Sequence, residues 1–452
     1  MTRDLTRGSI LKNLLMISIP TMIGFSAQMI YDIVDIFWLG RISGQAIAGV
    51  TIFSTIFWIV ESLNEVIGVS SISLISQSFG KKDIPGTNRA IEQTITFKFI
   101  VAALAALFLA LFLKPIMGFF SDTTVTSIGL EYGYIRLFFL PVMFSSYSVN
   151  TALRCIGDAK TPMFIMLGTS LLNVILDPFL IFDTVPFIGC PGAGLGIFGA
   201  ALATVISQTL AFLTGFFLLF SGKRGIKPSL KKLFRLDKDL DKKLITIGLP
   251  NGIEIFLRNI SMAAILKYVS IFGTAAIAAY GIGGRLIGIA FMPLVGLSMG
   301  GSAIVGQCLG AEDVSRAKKT CHVSATLSAS VMVFFTLVSV IWGKFFIGLF
   351  SDHPEVISIG ADFLRYATFA LIFIGIGFGL SIAFSGSGYN LPFLVSSIIG
   401  RWAFQIPFLI IAVTLLKAPL LFVWFSFIIG DVAELSALLL FYRQGKWQTK
   451  RV

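Results

Sequence analysis

The sequence predicts an all-α polytopic membrane protein with twelve transmembrane helices. These form two six-helix bundles related by pseudo-twofold symmetry along the membrane normal. Three observations predict this fold class. Of the 452 residues, 56% are hydrophobic and only 13% are charged, whereas a soluble domain carries roughly 25% charged residues. Apolar runs of about 20 residues, long enough to cross a bilayer, recur from end to end, and the two halves of the chain share an internal repeat.

The apolar runs define two sets of six predicted spans. A basic linker, residues 221–243, separates the two sets. We therefore divide the chain into an N-lobe at residues 1–220, the linker, and a C-lobe at residues 244–452. The predicted spans are residues 14–39, 46–77, 91–113, 131–152, 162–183, 196–220, 244–271, 277–307, 320–343, 361–384, 392–416 and 418–441.

The distribution of basic residues predicts the orientation of these spans. An even number of spans places both termini on one side, and cytoplasmic loops carry an excess of Lys and Arg. That side holds 24 of the 35 basic residues, whereas the opposite loops hold only Arg41, Lys114, Lys344 and Lys417. We therefore expect a multi-pass protein of the cell membrane with both termini in the cytoplasm. The net charge of +12 then reflects topology, and no nucleic-acid partner is expected.

The sequence offers little that would support catalysis. Its four cysteines show no CxxC spacing, which indicates neither a disulfide framework nor a zinc site. The histidines His322 and His353 are far apart, and no HExxH or GxSxG motif is present. We expect no enzyme activity and no cofactor. The basic N-terminus runs into the first span without a small-residue cleavage site, which predicts a retained span.

The internal repeat appears at an offset of 230 residues. Because six crossings make an even number, both repeats run in the same sense and would enclose a cleft, as in many secondary transporters. The aligned pairs include Pro20 with Pro250, Ala46 with Ala276, Gln77 with Gln307, Gly80 with Gly310, Asp83 with Asp313, Asp122 with Asp352 and Pro162 with Pro392.

A set of short motifs extends over almost the whole chain. They are Val34–Gly40, Gln77–Gly80, Gly157–Pro162, Asn173–Pro178 and Gly199–Thr204 in the first half, and Gly248–Pro250, Gly306–Gly310 and Gly386–Gly388 in the second. Together these motifs resemble the multidrug and toxic compound extrusion (MATE) transporters. The resemblance implies twelve helices in two lobes that alternate between outward-open and inward-open states. It also implies export of small organic cations in exchange for Na⁺ or H⁺ as the coupling ion. We expect the protein to be a monomer.

The resemblance further implies where the coupling ion binds. Related transporters use an aspartate in helix 1, an Asn and an Asp one turn apart in helix 5, and a Thr in helix 6. These positions match Asp35, Asn173, Asp177 and Thr204. Other members use acids in the C-lobe, where Glu254 matches a glutamate on helix 7, but helix 10 has no matching aspartate. This departure favours the N-lobe site, of the aspartate type.

The residues themselves support a cation site there. A carboxylate in the hydrocarbon costs about 2.5 to 3.5 kcal/mol on insertion scales, so Asp35 and Asp177 are functional candidates. At about 1.5 Å per residue, Asp35, Asp177 and Thr204 lie at similar depths in the outer leaflet, and Asn173 shares the face of Asp177. Their oxygens suit Na⁺, and two adjacent acids could equally carry a proton. The ligand set does not choose between the two ions.

The repeat assigns these acids to one half of the chain. The positions opposite Asp35 and Asp177 are Ile265 and Pro407. A duplication kept for its scaffold alone would not require acids in one lobe only. The alternative is that Asp177 caps a helix end before Pro178 while Asp35 faces an aqueous vestibule.

Several further residues are candidates for substrate contact or for support of the ion site. Asp32 lies three residues before Asp35, and Glu61 could face the cleft from helix 2. Gln28 and Met29 belong to a Met- and aromatic-rich stretch that would suit flat organic cations, or would face lipid.

Other charged residues and one proline have structural alternatives. Glu254 and Arg258, spaced i, i+4, could neutralise each other. Asp431 and Glu434 on helix 12 have no local cation and could pair with Arg401 or Arg285 on another helix. Pro20 is predicted to bend helix 1, either as a hinge or as a fixed kink.

Other classes of function fit the sequence less well. A flippase of a lipid-linked precursor, from the same superfamily by resemblance, is the main alternative, but it would call for a cationic cleft. A channel would need a continuous polar lining. A membrane enzyme would need a catalytic set of residues that the sequence lacks.

Overall fold

The computed structural model describes residues 4–233 and 235–452. The predicted N-lobe and linker also contain residues 1–3 and 234, which lie outside the described residues. The described part is almost entirely helical. Each predicted span corresponds to one helix, except the fourth, which corresponds to two consecutive segments. The predicted fold class is confirmed. The helices are α1 Ile10–Ile42, α2 Gly44–Gly80, α3 Ile84–Phe120, α4 Thr123–Phe138 continued by Leu140–Cys155, α5 Lys160–Ile181, α6 Gly196–Phe220, α7 Lys238–Ser270, α8 Thr274–Gly310, α9 Val314–Gly348, α10 Pro354–Ser387, α11 Leu391–Leu415, α12 Leu421–Gln444 and the short α13 Lys446–Thr449.

Ten of these helices are long and apolar enough to cross a membrane on length and composition alone. Apart from the four-residue α13, two helices depart from that pattern for visible reasons. Helix α4 is interrupted at Phe139, so neither of its two segments exceeds 16 residues. Helix α7 begins with a charged turn and contains Glu254 and Arg258 in its interior.

The chain packs as two compact units that differ slightly from the predicted lobes. The first contains Pro20–Thr246, and the second contains Leu5–Ile19 together with Ile247–Val452. The linker thus belongs to the first unit. The start of α1 belongs to the second, where the Leu5 amide donates to the Gln307 side chain at 3.1 Å. The boundary lies inside α1, immediately before Pro20.

The 230-residue repeat is also visible in local geometry. Asp83 and Asp313 cap the N-termini of α3 and α9, and each side chain accepts a hydrogen bond from the backbone amide three residues later. The residues just before them, Lys82 and Glu312, have φ values of 61° and 63°, a left-handed conformation that is uncommon for residues other than glycine. Residues paired by the sequence repeat therefore hold the same structural positions.

Helix α11 departs from regular α-helical geometry. It contains two π-helical segments, Ile399–Gln405 and Ile410–Leu415. Pro407 lies between them and provides no backbone N–H donor. π-Helical turns are rare and occur frequently at functional sites, and the first of these turns carries Arg401.

The basic linker is held against α3 and against the loop between α4 and α5. Its contacts are hydrogen bonds or ion pairs with several residues of the first unit. These are Arg224 with Asp158, Lys227 with Asn88, Ser229 with Glu92, Leu233 with Thr96, Asp237 with Arg89 and Asp241 with Gln93.

Asp158 is the centre of one of these linker contacts. Its carboxylate accepts hydrogen bonds from Arg224 at 2.8 Å and from the Thr161 hydroxyl at 2.7 Å. Burial alone would raise the pKa of Asp158, but the hydrogen bonds from Arg224 and Thr161 outweigh it, so the pKa lies below its ordinary value. A depressed pKa contributes stability that is present above the unfolded-state value and is lost as the pH falls through the folded-state value.

We expect Asp158→Asn to lower the free energy of unfolding by about 1–3 kcal/mol at neutral pH, since it weakens hydrogen bonds to a charged group. The difference from the unmodified protein should shrink as the pH falls below the ordinary aspartate pKa. Thermal unfolding in detergent across this pH range checks both points. Asp122→Asn, at the N-cap of α4, is the matched loop control. An unchanged difference at acid pH would contradict the assignment.

Candidate functional site

The predicted cation ligands lie in the first unit, on α1, α5 and α6. The apolar core beside them is built from α1 to α6 and includes Leu39, Phe53, Tyr132 and Ile181. The rings of Phe53 and Tyr132 meet edge to face at 5.6 Å. This packing fixes the position of Tyr132 on α4, and with it the hydroxyl that faces α1.

Asp35 on α1 is connected to α4 through a chain of polar contacts. Its carboxylate Oδ2 accepts a hydrogen bond from the Tyr132 hydroxyl at 3.4 Å. Arg136, one helical turn after Tyr132, donates to the Tyr132 hydroxyl oxygen at 2.9 Å. The guanidinium group also lies 5.0 Å from the centre of the Phe57 ring. Because Arg136 engages the tyrosine oxygen as an acceptor, the hydroxyl proton is directed toward Asp35.

Asn173 and Asp177 lie one turn apart on α5. The Asn173 amide donates to Asp177 Oδ1 at 3.4 Å, and the two side chains are 1% and 0% exposed. Pro178, which follows Asp177, lies inside the helix. On α6, which packs against α5, the buried Thr204 hydroxyl donates to the Ala200 carbonyl at 3.2 Å. Its proton is thereby engaged, and its oxygen remains able to accept or to ligate.

Three of the four predicted ligands carry a buried oxygen without a hydrogen-bond partner among the residues that the structure describes. These atoms are Asp35 Oδ1, Asn173 Oδ1 and Asp177 Oδ2. The carboxylates of Asp35 and Asp177 also interact electrostatically. Buried polar atoms are normally hydrogen-bonded, and two like charges in a region of low dielectric repel. A bound cation or proton would relieve both costs.

A metal site built from several His, Cys, Asp or Glu side chains has less support. In the described ranges, 4–233 and 235–452, no group of three or more His, Cys, Asp or Glu side chains is placed to hold a metal ion. A cation at the predicted site would therefore rely on two carboxylates supplemented by amide and hydroxyl oxygens. That donor set suits a weakly bound, exchangeable ion.

The other residues predicted on α1 lie outside the polar contacts of the four predicted ligands. Asp32 is exposed and interacts with Tyr31, whose hydroxyl accepts from Gln208 at 3.5 Å. Gln28 and Met29 are half-buried on α1. None of these three residues shares a hydrogen bond with Asp35 or Asp177 in the contacts of the described part.

Glu61 belongs to a second charged cluster of the first unit. It accepts a hydrogen bond from Asn64 at 3.1 Å and interacts electrostatically with Lys98 of α3. The Lys98 side chain is fully buried, and its ammonium group lies 4.5 Å from the centre of the Tyr147 ring. Glu61 is thus connected to other residues than the four predicted ligands.

Sequence reasoning missed Tyr132, Arg136 and Lys98. The available signal was a Tyr and an Arg spaced i, i+4 in the predicted fourth span, and a lysine inside the third. Basic residues within spans are as costly as acids. The argument that made the buried carboxylates functional candidates therefore applies equally to Arg136 and Lys98.

The C-lobe candidate Glu254 is paired. It forms an ion pair with Arg258 on the next turn of α7 and accepts a hydrogen bond from Ser397 at 3.0 Å. This pairing follows the spacing seen in the sequence. The contrast with the unpartnered oxygens of Asp35 and Asp177 is clear.

Comparison with known proteins gives a consistent result. The MatE family model matches residues 20–179 and 250–411. The chain is 26% identical to the probable multidrug resistance protein YoeA of Bacillus subtilis, over all of this chain and 97% of the relative. It is 24% identical to the probable multidrug resistance protein NorM of Thermotoga maritima, over 98% and 94% of the two chains.

A solved structure shows the same fold. A MATE protein crystallised in complex with MaL6 superimposes with a TM-score of 0.89 at 21% identity, over 98% of both chains. The residues matched by the MatE family model include most of α1 and α5 and most of α7 to α11.

Proposed function

Because the chain belongs to the MatE family of membrane transporters, we propose that it is a secondary active antiporter. It exports organic cations or drugs in exchange for Na⁺ or H⁺ by alternating access. The protein is a multi-span membrane transporter and not an enzyme. The names of its relatives refer to multidrug resistance, which supports a drug-like substrate. We further propose that it acts as a monomer in the cell membrane, with both termini in the cytoplasm.

The observation that carries the coupling proposal is the set of buried, unpartnered oxygens on Asp35, Asn173 and Asp177. With both acids ionised, Arg136 balances only one of the two charges. A Na⁺ ion would take these oxygens and that of Thr204 as ligands, whereas a proton would need only one carboxylate oxygen. In either case the bound ion reduces the net negative charge of the site formed by Asp35 and Asp177.

This change in charge provides a means of exchange. An organic cation is attracted by the ion-free site and less so by the neutralised one, so the ion and the substrate oppose each other's binding. A ligand shifts a conformational equilibrium only by its differential affinity for the two states. If the ion favours one orientation of the transporter and the substrate the other, the ion gradient drives export.

The flippase alternative has no comparable support. A lipid-linked precursor carries phosphate, which the acids of the N-lobe site would repel. The relatives described above are also named for multidrug resistance. We therefore retain the antiporter as the proposed function.

Transport in proteoliposomes tests this proposal. We expect accumulation of a fluorescent organic cation against its own gradient when either a Na⁺ gradient or a pH gradient is imposed, and no accumulation without one. The gradient that works identifies the coupling ion. Empty liposomes, and proteoliposomes whose gradient is collapsed by an ionophore, are the controls. Equilibration without accumulation would indicate a channel, and no movement of the cation under either gradient would refute the antiporter.

A further inference from the structure

A network of five buried charged residues connects α7, α11 and α12 in the second unit. Arg258 pairs with Glu254 on its own helix and with Glu434 on α12, the latter at 2.8 Å. Arg401 on α11 lies 2.9 Å from Asp431 Oδ1 and 3.6 Å from Glu434. All five side chains are buried or nearly so. The network therefore lies in an environment where an unbalanced charge is costly.

The charges of this network do not balance. Three carboxylates face two guanidinium groups, which leaves one negative charge over when all five are ionised. The excess is not shared equally. Glu434 lies between both arginines, and Glu254 has both Arg258 and the Ser397 hydroxyl.

Asp431 is the least compensated of the three acids. Among the residues that the structure describes, the cation in ion-pair contact with it is Arg401, which also donates to Gln405 at 2.8 Å. The Oδ2 atom of Asp431 has no hydrogen-bond partner in the described part of the chain, although the residue is only 2% exposed. This oxygen is where a neutralising ligand would bind.

A small cavity lies at this point. Its volume is about 20 Å³, and its polar lining consists of Arg258, Asp431 and Glu434. The rest of the lining is apolar, with Phe373, Ile374 and Phe378 contributed by α10. A water molecule needs roughly 10–15 Å³ measured in this way, so the cavity holds about one water. An organic substrate needs several hundred Å³ and is excluded.

The cavity also suits a proton better than a metal ion. A hard cation takes several oxygen ligands. Of the three buried carboxylate oxygens here that lack a hydrogen bond, only Asp431 Oδ2 also lacks an ion-pair contact in the described part of the chain. The guanidinium groups of Arg258 and Arg401 would repel the cation. A proton needs a single acceptor and a water molecule to deliver it. The charged groups facing Asp431 are Arg401, Glu434 and Arg258, and α10 presents only apolar side chains to the cavity.

We propose that Asp431 is a proton-binding site of the C-lobe, protonated at Oδ2 and exchanging its proton with water through this cavity during transport. Binding of the proton neutralises the excess charge of the network, and its release restores it. The part that this proton plays in transport rests on the proposed antiport function. Proton binding itself does not.

Infrared difference spectroscopy on the purified full-length protein, without substrate or ion gradient, tests the site. We expect a carboxylic C=O stretching band that disappears as the pH is raised. It should persist in the double variant Asp35→Asn, Asp177→Asn and be absent in Asp431→Asn. The substitution keeps the shape of the side chain and removes the excess charge, so the variant should fold, which its elution profile and melting temperature verify. Asp352→Asn, in the loop before α10, is the control and should leave the band unchanged.

The outcomes are distinct from those of the transport test. If the band that persists in the double variant remains at full intensity in folded Asp431→Asn, the proposal is overturned, because the band then comes from another carboxyl group. Where the antiporter is active, Asp431→Asn should release one proton fewer per substrate molecule than the unmodified protein. An unchanged ratio would overturn the role in transport. If the unmodified protein shows no export, the antiporter proposal is refuted. The infrared result then still shows whether Asp431 binds a proton.

Discussion

Gradient-driven export by Asp177→Asn and by Asp35→Asn is expected to fall by roughly 10–100-fold or more, as for loss of an ion ligand. Asparagine preserves the size of each side chain, so the contact of residue 177 with Asn173 and that of residue 35 with Tyr132 can remain. What is lost is one of the two charges that attract the coupling ion. The initial rate of export in proteoliposomes, under whichever gradient drives the unmodified protein, measures the effect.

Asp32→Asn provides the matched control, since it removes the same charge from an exposed position on the same helix. We expect it to retain most of its activity. Equal losses in all three variants would indicate a general electrostatic effect and not an ion site. Export that persists in Asp35→Asn and Asp177→Asn but fails in Glu254→Gln would place coupling in the C-lobe.

Arg401→Met is expected to destabilise the protein by about 3–5 kcal/mol, the usual cost of removing one partner of a buried ion pair. Methionine can fill most of the volume of arginine, but it leaves Asp431 and Glu434 without a cation that lies 2.9 Å and 3.6 Å from them. The hydrogen bond to Gln405 is lost as well. The shift in thermal unfolding in detergent reports this loss.

A double substitution separates charge from packing. Adding Asp431→Asn to Arg401→Met removes one of the stranded acids, so part of the lost stability should return. Arg443→Met, at an exposed position in the last turn of α12, is the control and should change little. A large loss in Arg401→Met that Asp431→Asn does not relieve would mean that packing, and not charge, governs this region.

The sequence was sufficient to predict the helices because each depends on a local property. A long apolar run predicts a span. The repeat was equally accessible, since it required only comparison of the chain with itself. Eight of the twelve predicted spans were shorter than their helices, which continue past the apolar run into polar turns.

The features that escaped prediction depend on contacts between distant segments. Nothing local shows that Tyr132 would donate to Asp35, or that Arg258 would also pair with Glu434 on α12. The interruption of α4 at Phe139 and the π-helical turns of α11 likewise reflect how each helix packs. Four candidate ligands could be named from the sequence, but their unpartnered oxygens are a property of the assembled N-lobe.

The docked linker changes how the chain can be modified. By composition, residues 221–243 resemble a soluble tether, the kind of segment that usually tolerates an inserted tag or reporter domain. Insertion tolerance depends instead on whether the backbone is bonded, and here the backbone amides of Lys227 and Ser229 donate to α3. An insertion at these points would pull the segment away from α3. The linker is therefore a poor place to attach a fluorescent label, despite its length and charge.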